Sequence, residues 1–106
     1  MRIEHVEAVS VNDAGEVSFA ELLHLSGLSP EELRALVEHG NLAPLAADED
    51  DQPRFEARCV LLAQTARRLR DELELEGSAL AVVLGLVERI RDLEAKLRAL
   101  QMRHPG

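Results

Sequence analysis

Two serine–glutamate pairs, at Ser18/Glu21 and Ser29/Glu32, fix where helices can begin in this chain. With three residues between partners, the serine hydroxyl accepts an amide of the first helical turn while the glutamate reaches back to the serine's own N–H. Pro30 follows the second serine at the one helical position that loses nothing by lacking an N–H. Gly27 lies between the pairs and is free to take the positive backbone dihedral of a tight corner. His39-Gly40-Asn41-Leu42 then brings the second helix to a glycine stop. Residues from about Ser18 to Pro44 therefore predict a helix-turn-helix. Leu22, Leu23 and Leu25 give the first helix its core face, and Leu28, Leu33, Leu36 and Val37 pack back on it.

The flanks follow from turn chemistry and periodicity. Ile3, Val6, Val9 and Val11 suggest a short strand over residues 3–11, followed by a turn at Asn12-Asp13-Ala14-Gly15. Asn41 to Phe55, with Pro44 and Pro53, predicts an extended wing pinned to the core by Leu42, Leu45 and Phe55. A helix from near Glu56 to Leu75 carries Leu62, Ala66, Leu69 and Leu73 at helical spacing, and Glu76-Gly77-Ser78 interrupts it.

In the last helix, from about Ala79 to Arg103, Val83, Leu86, Ile90, Leu93, Leu97 and Leu100 alternate by three and four residues. That is the seam of a coiled coil, flanked by Arg89, Glu94, Lys96 and Gln101. Three heptads are marginal alone, so the helix either pairs in a homodimer, the favoured reading, or packs partly on its own head. Arg89 and Glu94 would attract each other across a parallel pair, whereas an antiparallel pair sets Arg89 near Lys96. The expected architecture is mainly α: a winged helix-turn-helix head with a long helix over residues 1–75, and a C-terminal amphipathic helix over 76–106 for dimerisation or packing.

Charge restricts what such a head can hold. Residues 1–55 carry twelve acids and three bases, a net of −9; residues 56–106 carry eight acids and nine bases, a net of +1. Between Ser18 and Leu45 the only Lys or Arg is Arg34, against Glu21, Glu31, Glu32 and Glu38. A DNA reader draws most of its affinity from neutralising phosphates, and this head repels them. Phe19 and Phe55 are the only aromatics, too few for stacking on single-stranded bases. An acidic surface instead steers a basic protein. Glu31, Glu32, Glu38, Asp48, Glu49, Asp50 and Asp51 are therefore the expected partner-binding residues, although a solvated acidic loop at 48–51 also accounts for that run.

No groups converge for catalysis, and no enzyme, cofactor or metal is expected. His5, His24, His39 and His104 are scattered, and His39 suits a helix C-terminus. The run Asp48–Asp51 lacks the alternate spacing and closing glutamate of a calcium loop. Cys59, the single cysteine, sits in an apolar helical run and is read as a packed thiol, which with the lack of a secretion signal points to the cytoplasm. No apolar stretch approaches the ~20 residues of a membrane span. Arg67, Arg68 and Arg70 stand four residues before Asp71, Glu72 and Glu74, so pairing within the helix accounts for them.

Three segments carry a resemblance. They are Leu25-Ser26-Gly27-Leu28-Ser29-Pro30-Glu31-Glu32-Leu33, Arg67-Arg68-Leu69-Arg70-Asp71-Glu72-Leu73, and the run from Ala79 to Ile90. Their order and spacing resemble the MerR-like winged helix-turn-helix and, within it, the CbpM-type chaperone modulators, over residues 16–103. The resemblance implies a protein that binds the J-domain of a CbpA-like, DnaJ-type co-chaperone and inhibits its cooperation with a DnaK-type chaperone. The competing expectation is a MerR-like DNA-binding transcriptional regulator, which would need basic contacts where this chain offers only Arg34 and Arg54.

Overall fold

The structure, a computed structural model, describes residues 15–45 and 53–103. The expected strand over 3–11, residues 12–14 of its turn and the acidic run Asp48–Asp51 lie outside the described residues. The elements are β1 (Glu16–Ser18), α1 (Phe19–Ser26), α2 (Pro30–Glu38), β2 (Arg54–Glu56), α3 (Cys59–Leu73) and α4 (Gly77–Arg103).

Both capping boxes form. Ser18 Oγ accepts the Glu21 N–H at 3.0 Å while Glu21 Oε1 accepts the Ser18 N–H at 2.7 Å. Ser29 and Glu32 repeat the exchange at 3.1 and 2.9 Å. Helix α1 stops at Gly27, which adopts the left-handed region at φ 79° and donates its N–H to the Leu23 carbonyl. Buried Ser26 accepts the Leu28 N–H, closing the corner, and α2 starts three residues after Gly27. At the far end of α2, His39 Nδ1–H donates to the Ala35 carbonyl at 2.8 Å, the C-terminal role its position suggests.

The wing stems pair as a two-stranded antiparallel sheet, with Val17 opposite Phe55 and Ser18 opposite Arg54. A strand at Glu16–Ser18 is not foreseen by the sequence reading, and it corrects the next boundary. Arg54–Glu56 is held in the sheet, and the Ala57 N–H donates to the Gly15 carbonyl at 3.0 Å, so α3 begins at Cys59 rather than near Glu56. The stem residues Leu42 and Phe55 are buried, and Leu45 donates its N–H to the Arg54 carbonyl, as their pinning role requires.

The core lies between α1, α2, α3 and the first turns of α4. Helix α3 buries Val60, Ala63 and Ala66, with Leu62 and Leu69 at the margin. Leu73, expected on that stripe, is 56% exposed: the buried stripe follows small residues that let α1 approach closely, and it runs out before the last turn. Helix α4 adds Leu80, Ala81 and Leu84 to the same core. Asn41, just past α2, fastens this junction by donating from Nδ2 to the Ala81 carbonyl at 3.0 Å. From residue 89 to 103 every position of α4 is exposed, so its last four turns or so extend past the head.

Arg70 departs from the expected pairing within α3. Arg67 and Asp71 pair four residues apart at 3.4 Å, but Arg70 Nη1 reaches Glu32 Oε1 at 2.7 Å and ties α3 to the start of α2, with Asp71 3.0 Å away on its other side. Burial pushes the Glu32 carboxyl up, but the Ser29 amide and the Arg70 guanidinium together hold it below its ordinary value. A carboxyl depressed in the folded state contributes stability above its unfolded pKa, and loses it as pH falls through the folded value.

Two outcomes follow for stability. Gly27→Ala forces a side chain into the left-handed region, with its Cβ 3.2 Å from Arg67 Cδ and Nε, and should cost about 1–2 kcal/mol in urea unfolding. Glu32→Gln should cost about 1–2 kcal/mol at neutral pH. It should also flatten the wild type's decline in stability below about pH 4.3, the unfolded glutamate value; an equal decline in both would place that pH dependence elsewhere.

Candidate partner-docking surface

The corner at Gly27 sets which side of α2 meets solvent. Leu33 and Leu36 point into the core, so Glu31, Arg34 and Glu38 fall on the exposed strip. Of the three α2 carboxylates expected to meet a partner, two are open to solvent. Glu32 is half-buried and already shared by Ser29 and Arg70. Asp48, Glu49, Asp50 and Asp51 lie outside the described residues.

Beside this strip lies a feature the sequence reading missed. An apolar cleft of about 400 Å³ is walled by Phe19, Val37, Pro44, Pro53 and Phe55, with Arg34 and Glu38 as its charged lining. The two phenylalanines, the only aromatics in the chain, meet here with ring centroids 6.5 Å apart and planes inclined at 42°. The signal available in the sequence was a proline on each side of the wing and one phenylalanine at each stem. A second, polar groove beneath α1 is lined by Arg67, Arg68, Asp71 and Glu72, where Arg67 and Asp71 already pair.

Five of the six residues expected to dimerise lie exposed along one face of α4. Leu86, Ile90, Leu93, Leu97 and Leu100 are 57, 54, 51, 55 and 51% exposed, and Val83, nearest the head, is half-buried. Polar neighbours stand to the side, with Lys96 and Asp92 paired four residues apart at 3.1 Å.

Burial pushes the Cys59 thiol up, away from the thiolate a nucleophile needs. Among the described residues no cluster of His, Cys, Asp or Glu is arranged to hold a metal ion, and no helix is long and apolar enough to cross a membrane. What the geometry presents is contact surface: an acidic helix strip, an apolar cleft beside it and an apolar seam.

Residues 17–102 match the family described as MerR HTH family regulatory protein. The chain is also 36% identical over 78 residues to the chaperone modulatory proteins CbpM of Salmonella paratyphi A and Salmonella newport, an alignment covering 74% of this chain and 76% of each relative. The matched span takes in the helix-turn-helix, α3 and all but the last residue of α4. On the strength of the fold and both similarities, the chain belongs to the CbpM family of chaperone modulatory proteins, built on the MerR-type helix-turn-helix.

Proposed function

We propose that this protein binds the J-domain of a CbpA-like, DnaJ-type co-chaperone and inhibits its cooperation with a DnaK-type chaperone. The class of function comes from the family. The observation that carries the reading on this chain is the charge of α2, which exposes Glu31 and Glu38 and offers a single cation, Arg34. A helix that inserts into a DNA groove has to approach phosphates, and two exposed carboxylates oppose that. The same carboxylates attract a basic helical face of the kind a J-domain presents to its chaperone. A modulator seated on that face would compete with the chaperone for it.

The helix-turn-helix scaffold keeps DNA regulation as the second reading. It would require phosphate contacts from Arg34 and Arg54, but the Arg54 guanidinium lies 3.7 Å from the Glu16 carboxylate and donates to the Glu16 carbonyl at 3.3 Å.

We further infer a homodimer paired through α4. Five half-exposed large apolar side chains on one helix face, spaced by three and four, match the a and d positions of a two-stranded coil. A helix that runs several turns past its own core is marginal in water without such a partner.

Calorimetric titration with the isolated J-domain of the co-chaperone from the same cell tests the binding. Saturable heat that weakens as salt rises is expected, and no heat at either low or moderate salt would return the reading to DNA regulation. Reversing Glu31 and Glu38 to lysine should slow association and weaken affinity on the order of tenfold, with a flatter salt dependence. Unchanged kinetics would move the docking surface elsewhere. Leu93→Lys should halve the mass measured by sedimentation, and an unchanged mass would exclude α4 pairing.

A further inference from the structure

We propose that the cleft beside α2 is the anchor pocket of the docking face, taking one large apolar side chain from a basic helix of the J-domain. This rests on the J-domain reading above and adds the mode of recognition. Two prolines and two phenylalanines supply most of the cleft's walls, and side chains with so few free torsions lose little freedom when another enters. Its volume of about 400 Å³ lies at the lower end of sites that hold small ligands, and leaves ample room for a leucine, methionine or phenylalanine side chain. Buried apolar anchors in pockets of this kind carry most of the binding energy at protein interfaces, while charges at the margin set rate and register.

Charge identifies the occupant. Glu38 lines the cleft, and Glu31 stands two turns back on the same exposed strip, about 10 Å away along α2. Arg34 lies between them and also lines the cleft. A helix that is basic along its whole length would meet Arg34 unfavourably. The pattern selects a helix whose basic residues are about two turns apart and straddle an apolar one. Apolar anchor and flanking charges are then read together, which an acidic surface without the cleft would not do.

The chain's aromatic content makes the test direct. With no tryptophan or tyrosine, Phe19 and Phe55 supply the only phenyl signals in its NMR spectrum. Unlabelled J-domain added to the ¹³C-labelled chain should shift both phenylalanine ring signals over the concentration range in which binding saturates. Val37→Trp, which fills the cleft, should weaken J-domain affinity at least tenfold while the α4-paired mass is retained. Binding with both ring signals unmoved would overturn the inference and leave the modulator function standing. Absence of any binding would overturn both. Ring signals that shift on dilution of the chain alone, with no further change on adding J-domain, would assign the cleft to a second copy and also overturn it.

Discussion

The structure turns on the corner at Gly27. One residue in the left-handed region ends α1, and the Arg67 side chain lies against it, leaving little room for a Cβ. Ser29 restarts the helix three residues after Ser26. The angle made there decides which residues of α2 are core and which are surface. Leu33 and Leu36 turn inward against α4, and Glu31, Arg34 and Glu38 turn outward. Were the corner opened, the packing of α2 on α4 and the Glu32–Arg70 pair would be lost together. The outward strip and the junction with α4 are both consequences of one turn.

A second dependence runs through the wing stems. Two strands of three residues each are too short to persist alone. They hold because Val17 and Phe55, opposite one another in the ladder, are both buried in the helical core, and because Arg54 is anchored to Glu16. This pairing brings Phe55 to Phe19 and Pro53 toward α2, and so builds the cleft. The head is thus a helix-turn-helix whose wing stems have become one wall of a recess beside α2.

Features encoded within about one helical turn are legible in the sequence: both capping boxes, the Gly27 corner, the histidine at the end of α2 and the three-four apolar spacing along α4. Those made by residues far apart are not. The strand at Glu16–Ser18 exists only because its partner lies nearly forty residues on, and nothing in three residues announces that pairing. The start of α3 was misjudged for the same reason, since sheet pairing at Arg54–Glu56 overrides local helix preference. Arg70 has an acidic neighbour at Asp71, so pairing within the helix was the nearer reading, yet its shortest contact is to Glu32 on another element. That contact also removes Glu32 from the exposed strip. The candidate site was half legible on this account: the acidic helix follows from composition, whereas the cleft needs Phe19 and Phe55 brought together by the sheet.

The function proposed for this member of the CbpM family is to withhold a J-domain. ATP turnover by the DnaK-type chaperone, stimulated by its CbpA-like co-chaperone and titrated with this protein, tests it most directly. Turnover should fall saturably to the unstimulated rate, with half-inhibition shifting to higher concentration as salt rises. Stimulated turnover that stays constant at concentrations well above those of the co-chaperone would contradict it.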